Sequence, residues 1–165
     1  MPGPTKVLLV EDNPADSDLI AEAFDREKIA VNLSVVRDGE EAMDYLLRKK
    51  QFSKACRPDL ILLDLNLPRK DGRELLSELK DHPKLKVIPV VVLTTSESED
   101  DIMVTYQLHA NGYITKPRSL KEYTRIAHGI DDFWFEIAKL PPRSANGING
   151  TTDINGTTGS NGTTR

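Results

Sequence analysis

Hydrophobic and polar residues follow two spacings along this chain, one typical of buried strands and one typical of amphipathic helices. Short runs rich in leucine and β-branched residues predict strands over 6–11, 32–36, 59–64, 88–94 and 111–115. Segments in which apolar residues recur every three or four positions predict helices over 14–29, 40–50, 72–81, 99–109 and 119–139. The two kinds of element alternate, so residues 5–140 read as successive βα units.

Successive βα units predict a parallel sheet, because right-handed crossovers place helices on both of its faces. The expected fold is α/β, a flavodoxin-like doubly wound sheet with strand order 2-1-3-4-5. In that order the carboxyl ends of the first and third strands lie side by side. The chain order of the strands reverses between these two strands, and ligands of open α/β sheets bind at such a switch point. The residues that end the two strands are therefore the first candidates for a site.

Acidic residues end both of those strands. Glu11 and Asp12 follow the first strand and Asp64 follows the third, while Thr94 closes the fourth strand and Lys116 follows the fifth. Three carboxylates facing one ammonium leave a negative pocket, and a divalent cation would relieve the repulsion. Mg²⁺ fits because it combines a few carboxylates with retained waters and a phosphate oxygen.

The expected Mg²⁺ ligands are Asp12, Asp64 and the backbone carbonyl of Asn66, with Glu11 acting through a water molecule. A phosphoryl group on Asp64 would meet the Lys116 ammonium at one oxygen and the Thr94 hydroxyl at another. The pattern therefore predicts a site for covalent phosphorylation of a carboxylate.

These residues, in this order and spacing, resemble the receiver domain of two-component response regulators over about residues 6–139. The matching segments are Glu11-Asp12-Asn13, Asp64 with Pro68 and Asp71-Gly72, Thr94, and Tyr113-Ile-Thr-Lys116-Pro117. Within that family, the segments 11–16, 65–74, 94–96 and 131–134 resemble the small regulators that partner bacterial phytochromes.

The resemblance implies a stand-alone receiver domain over 5–140 that is a switch protein and not an enzyme. Asp64 would accept a phosphoryl group from a phosphohistidine of a sensor histidine kinase, here a phytochrome, with Mg²⁺ present. Thr94 and Tyr113 would couple phosphorylation to a rearrangement of the face formed by the fourth helix and fifth strand, which a downstream protein would bind. The resemblance also allows a cis bond between Lys116 and Pro117.

The last predicted helix carries more apolar residues than its packing against the sheet requires. Its stripe, which should pack on the sheet, consists of Leu120, Tyr123, Ile126, Ala127, Ile130, Phe133, Trp134 and Ile137. Phe135 lies off this stripe. Two interpretations remain open: a homodimer through the face of the fourth helix, fifth strand and fifth helix, or a wider buried face in a monomer.

A basic segment precedes the third strand. It contains Arg48, Lys49, Lys50, Lys54 and Arg57 and no acid. One interpretation is a solvated helix end, where cations are favourable. The other is a docking site for an acidic kinase surface. Asp59, at the start of the third strand, is expected to be structural because it lies a full strand length from Asp64.

Composition narrows the functional class. The net charge of -4 argues against nucleic-acid binding. The single cysteine, Cys56, and the lack of a signal peptide point to the cytoplasm, and no apolar run approaches the roughly 20 residues that span a membrane. Repeats of Asn-Gly-Thr-Thr predict a low-complexity, disordered tail over 141–165.

Two other functions use related chemistry. A phosphatase of the haloacid-dehalogenase kind also forms an aspartyl phosphate, but it needs a second aspartate two positions after the nucleophile, where this chain has Asn66. A receiver that acts unphosphorylated, as a scaffold, is typified by loss of the acceptor or an acid, and here both are present.

Overall fold

The computed structural model describes residues 3–143, so most of the predicted tail lies outside the described residues. The strands are β1 (Thr5–Val10), β2 (Val31–Val36), β3 (Leu60–Leu63), β4 (Val90–Thr94) and β5 (Gly112–Thr115). The α-helices are α1 (Pro14–Arg26), α2 (Gly39–Leu46), α3 (Gly72–Asp81), α4 (Glu99–Gln107) and α5 (Leu120–Ile130). A short 3₁₀ helix covers Lys50–Phe52, and a π-helix covers Asp131–Ile137.

The sheet is parallel, with the predicted strand order β2-β1-β3-β4-β5. Val10 at the end of β1 pairs with Val36 of β2 and with Leu63 of β3. These strands therefore end at one level. The flavodoxin-like fold is confirmed, and the residues that follow β1 and β3 emerge as neighbours.

Both faces of the sheet are buried, as the period of two in a strand requires. In β1, Leu8 and Val10 belong to the core cluster under α2 and α3. Val7 and Leu9 belong to the cluster under α1 and α5. The polar residues at the strand ends are thus held by a sheet that is packed on both sides.

Three helices end earlier than their apolar spacing predicts. α1, α2 and α4 stop at Arg26, Leu46 and Gln107. Soon after each end a residue adopts a left-handed backbone, with φ of 55° at Lys28, 58° at Arg48 and 75° at His109. A left-handed residue cannot continue an α-helix, and glycine, its usual signal, is absent at these positions.

The apolar stripe predicted for the last helix is only partly confirmed. After Ile130 the backbone widens into the π-helix, in which Ala138 N–H donates to the Phe133 carbonyl at 2.7 Å. Wider turns shift the angular position of each later side chain. Phe135, predicted off the stripe, packs on the α1/α5 core with its ring 6.3 Å from that of Phe24, whereas Phe133 and Ile137 are 50% and 69% exposed.

Asp59 has the structural role expected of it. Its buried carboxylate accepts hydrogen bonds from the Lys6 backbone N–H and the Arg143 side chain. Every peptide bond within 3–143 is trans, including the one between Lys116 and Pro117. In the same range, no helix has the length and apolar character required to cross a membrane.

Candidate functional site

Three carboxylates converge where β1 and β3 end. The register that pairs Val10 with Leu63 brings Glu11, Asp12 and Asp64 together, and their carboxylate oxygens lie within 4.8 Å of one another. Glu11 and Asp64 are buried and Asp12 is exposed. The predicted acidic pocket therefore forms, with one wall open to solvent.

Lys116 contacts two of these carboxylates, those of Glu11 and Asp64. Its backbone N–H donates to the Thr94 carbonyl, which ties the residue after β5 to the end of β4. Its ammonium lies 3.0 Å from Asp64 Oδ2 and 2.7 Å from Glu11 Oε1, and the second contact is an ion pair without hydrogen-bond alignment. Only 5% of the side chain is exposed, so little water competes for the ammonium.

Asp16 also belongs to the site, although the sequence pattern assigned it only to the start of a helix. Asn13 caps α1 by accepting the Ala15 N–H, and this cap places Asp16 in the first turn. Asp16 Oδ2 accepts a hydrogen bond from the Lys116 ammonium at 2.8 Å. An acid one helical turn beyond the acidic strand end was the signal available in the sequence. Lys116 is thus shared among three carboxylates.

Burial and charge set the protonation of the site. Burial, with the nearby Asp64 carboxylate, raises the pKa of Glu11 to about 7 against the opposing effect of Lys116. Burial alone would lower the pKa of Lys116, but the hydrogen bond to Asp16 and the charges of the Glu11 and Asp64 carboxylates raise it. The ammonium therefore stays charged among acids that outnumber it.

A buried phenol closes the site on the α5 side. Tyr123 is only 2% exposed, and burial together with the Asp16 carboxylate raises its pKa to about 12. The phenol is therefore neutral, and it adds no further negative charge to the acidic pocket.

Thr94, at the end of β4, is fully buried, yet its hydroxyl has no hydrogen-bond partner among the described residues. Tyr113 is half-buried, packs against the core and donates its hydroxyl hydrogen bond to the Ser96 carbonyl at 2.9 Å. That bond joins β5 to the loop between β4 and α4. Thr94 thus has an unused donor, and Tyr113 is bonded to the loop that follows Thr94.

The loop after Asp64 is held close to the site. The exposed Asn66 donates its backbone N–H to Asp64 Oδ1 at 3.3 Å, and Gly72 N–H donates to the Leu65 carbonyl. A Cβ at Gly72 would lie 2.4 Å from the Asp64 carbonyl oxygen, so the residue that starts α3 has to be glycine. This close approach of Gly72 to Asp64 fixes the direction in which the chain leaves β3.

The donor set suits a hard divalent cation. Carboxylate and carbonyl oxygens are the preferred ligands of Mg²⁺ and Mn²⁺, and soft or imidazole ligands are absent from the acidic group described above. The acids of the site also exceed its single ammonium. A divalent ion among Glu11, Asp12 and Asp64 would balance the excess negative charge.

Comparison with known proteins agrees with this geometry. The family model described as "Response regulator receiver domain" matches residues 7–128. The chain is 51% identical over 138 residues to Response regulator Rcp1 of Synechocystis sp., which covers 84% of this chain and 94% of that protein. It is 44% identical over 138 residues to the probable methanogenesis regulatory protein FilR2 of Methanothrix harundinacea, covering 84% and 88% of the two chains.

Solved structures of similar proteins share the fold. The phosphorylated cyanobacterial phytochrome response regulator RcpA superposes with a TM-score of 0.80 at 53% identity, covering 85% of this chain and all of that one. The Mn²⁺-bound form of Rcp1 superposes with a TM-score of 0.78 at 50% identity, over 84% of this chain and all of that one.

Proposed function

Because the chain belongs to the response regulator receiver domain family, we propose that it is a phosphorylation-controlled switch that accepts a phosphoryl group on Asp64 from a sensor histidine kinase in the cytoplasm. The observation that carries the proposal is the Asp64 carboxylate itself. It is buried at the switch point of the sheet, with one oxygen on the Lys116 ammonium and the acidic group beside it.

Asp12, Asp64 and the Asn66 carbonyl would hold the divalent ion directly, with Glu11 acting through water. When bound, Mg²⁺ supplies positive charge to the oxygens of the phosphoryl group. The support is the oxygen-only donor set and the convergence of Glu11, Asp12 and Asp64 within 4.8 Å. The Mn²⁺-bound structure of Rcp1 supports the same class of ion.

In the transfer step an Asp64 carboxylate oxygen forms a bond to phosphorus, while the bond from phosphorus to the kinase imidazole nitrogen breaks and its electron pair stays on that nitrogen. The Lys116 ammonium, already 3.0 Å from Asp64 Oδ2, would neutralise a phosphoryl oxygen. The Thr94 hydroxyl, which has no partner within residues 3–143, would donate to another phosphoryl oxygen.

Thr94 and Tyr113 would transmit the change. Movement of Thr94 toward the phosphoryl group would shift the loop after β4, and Tyr113 would follow because its hydroxyl is bonded to Ser96 of that loop. The face of α4 and β5 would then change shape for a downstream protein. Similarity to RcpA, a phytochrome response regulator, supports a phytochrome as the kinase.

A homodimer through α4, β5 and α5 stays a prediction. Met103, Val104 and Tyr106 of α4 are 59%, 38% and 48% exposed, which leaves apolar surface for a second copy or a downstream protein. A shift to earlier elution on size exclusion after phosphorylation is expected if the dimer is phosphorylation-dependent. An unchanged elution volume at full phosphorylation would contradict that dependence.

The test of the phosphoacceptor is Asp64→Asn. With acetyl phosphate or phosphoramidate and Mg²⁺, the wild-type protein should gain one base-labile phosphate by intact mass, and Asp64→Asn should gain none. Omission of Mg²⁺ should abolish the reaction in the wild type. Asp18→Asn, which removes an exposed carboxylate from α1, is the matched control and should react like the wild type.

Phosphate on Asp64→Asn at the wild-type level would disprove the assignment of the acceptor. Failure of the wild type with both small donors and with a phosphorylated histidine kinase would favour the scaffold interpretation instead. Far-ultraviolet circular dichroism of the variants shows whether a loss of labelling comes from loss of the fold.

A further inference from the structure

The Lys116 ammonium has one hydrogen-bond partner that takes no part in the chemistry proposed above. Within residues 3–143 the ammonium donates two hydrogen bonds, to Asp64 Oδ2 at 3.0 Å and to Asp16 Oδ2 at 2.8 Å. Asp64 is the proposed phosphoacceptor, whereas Asp16 lies outside the group of three acids described above. The contact between Asp16 and Lys116 therefore needs an explanation of its own.

Glu11, the third carboxylate near the ammonium, is oriented by a different donor. Its Oε2 accepts the backbone N–H of Asn13 at 3.2 Å, and its Oε1 lies 2.7 Å from the ammonium without hydrogen-bond alignment. A hydrogen bond weakens steeply when it is misaligned, whereas the attraction between two charges depends only on their separation. Glu11 thus supplies charge to Lys116 but does not fix the direction of its hydrogens.

Asp16 itself is held by the start of α1. Asn13 Oδ1 accepts the Ala15 N–H at 2.9 Å, and the Asn13 carbonyl accepts the Ser17 N–H at 3.1 Å. The backbone on both sides of Asp16 is therefore fixed. Further along the same helix, Phe24 is buried in the α1/α5 core. Asp16 is thus a fixed point on an element that is separate from the loop after β4.

The hydrogen bond from Lys116 to Asp64 has to change during the transfer. An acyl phosphate no longer carries the carboxylate charge, so Asp64 becomes a weaker acceptor and the charge lies on the phosphoryl oxygens. A lysine ammonium is carried on a flexible stem of four carbons, so the bond from the Lys116 backbone to Thr94 does not fix its position. A hydrogen bond that is independent of the acceptor would keep the ammonium beside those oxygens.

We propose that Asp16 is a positioning residue, which holds the Lys116 ammonium in place while Asp64 is converted to an acyl phosphate. The inference rests on the proposed function. The side chains of Asp16 and Lys116 are only 24% and 5% exposed, so the bond between them is shielded from most of the solvent. A charge that is held in place before the reaction does not have to be reorganised during it.

The first measurement uses the unphosphorylated full chain without Mg²⁺. It follows the exchange of the Lys116 ammonium hydrogens with water by ¹H–¹⁵N NMR. Asp16→Ala should speed this exchange at least about tenfold, which is the scale of a lost hydrogen bond to a charged group. Asp16→Asn keeps an acceptor oxygen and should give an intermediate rate. Asp18→Ala removes an exposed carboxylate from the same helix and should leave the exchange unchanged.

The second measurement follows phosphorylation of the same variants by acetyl phosphate, using intact mass. Each variant is assayed at a Mg²⁺ concentration that saturates it, so that changes in ion affinity do not enter the rates. Asp16→Ala should be labelled about tenfold more slowly than the wild type, Asp16→Asn at an intermediate rate, and Asp18→Ala at the wild-type rate. Asparagine and alanine both remove the charge, so the difference between them reports the hydrogen bond. Circular dichroism shows that each variant is folded.

A wild-type protein that gains no phosphate from small donors or from a histidine kinase would remove the proposed function and this inference with it. If the wild type is labelled, an unchanged or faster rate in Asp16→Ala would overturn the inference alone. Lys116 exchange that is unaffected by Asp16→Ala would do the same. Equal labelling rates in Asp16→Asn and Asp16→Ala would show that only the charge of Asp16 acts, which would also overturn the positioning role.

Discussion

Thr94 and Thr105 are both fully buried, but only one of their hydroxyl groups has a hydrogen-bond partner among the described residues. The Thr105 hydroxyl donates to the Ile102 carbonyl at 2.9 Å, as threonines in helices often do. The Thr94 hydroxyl has no such partner in residues 3–143. A buried polar group without a hydrogen bond is destabilising, so the Thr94 hydroxyl lowers the stability of the protein as described, and the phosphoryl oxygen of the proposed function would give it a partner.

Thr94→Val should therefore stabilise the unphosphorylated protein, by about 1 kcal/mol in the free energy of unfolding, because it removes an unsatisfied hydroxyl at nearly constant shape. Thr105→Val should destabilise it by about 1 kcal/mol, because a hydrogen bond is lost. Urea unfolding of the two variants checks this opposite sign. Equal destabilisation would show that the Thr94 hydroxyl has a partner.

At the scale of elements, the π-helix after α5 decides which aromatic side chains are buried. An α-helix through residue 137 would place Phe133 on the sheet side, as the periodicity predicts. In the π-helix, Phe135 packs on the core beside Trp134, which the predicted stripe also placed there, while the half-exposed Phe133 ring stands edge-to-face with Trp134 at a ring separation of 5.0 Å. The change in helical twist exchanges the roles of neighbouring phenylalanines.

Phe135→Ala should lower the free energy of unfolding by about 2 kcal/mol, below the range for fully buried phenylalanines because this ring is half-buried. Phe133→Ala should cost less than about 1 kcal/mol, since the side chain is 50% exposed. Chemical denaturation of the pair distinguishes the π-helix from a continuous α-helix. A larger loss at Phe133 would contradict the observed packing.

At the scale of the whole molecule, the carboxyl and amino edges of the sheet hold different groups of polar residues. The carboxyl edge holds the acidic cluster and Lys116. At the amino edge, Arg143 donates to Asp59 and to the Pro4 carbonyl, so the segment after the π-helix is tied to the starts of β1 and β3. Burial alone would raise the pKa of Asp59, but hydrogen bonds from Arg143 and Lys6 and the charges of Arg143 and Arg57 lower it below 3.8.

Asp59→Asn should lower the free energy of unfolding by about 1–3 kcal/mol at neutral pH, because the buried partner of Arg143 loses its charge. The folded-state pKa lies below the unfolded value, so this stabilisation is present above pH 3.8 and is lost as the pH falls through the folded pKa. The difference from the wild type should shrink below that pH in urea titrations. Asp132→Asn, an exposed change, should show no such convergence. A pH-independent difference would rule out the charged contact.

The sequence by itself determined the strands, their order and the main site residues. Their periods of two and about 3.6 are local, and residues that follow parallel strands must emerge at one edge. Glu11, Asp12 and Asp64 were predictable for that reason, as were Thr94 and Lys116. Their chemical roles stay predictions, as does the tail outside residues 3–143.

The tertiary structure alone decided features that depend on residues distant in the chain or on backbone geometry without a residue signal. Asp16 reaches Lys116 across 100 positions, a pairing that no local pattern encodes. The left-handed residues that shorten helices are lysine, arginine and histidine instead of glycine. The π-helix reassigns Phe133 and Phe135, and Asp59 accepts its side-chain hydrogen bonds from Arg143, 84 positions away. Such long-range pairings are decided by the tertiary structure, because the sequence around each residue does not show which distant side chain it will contact.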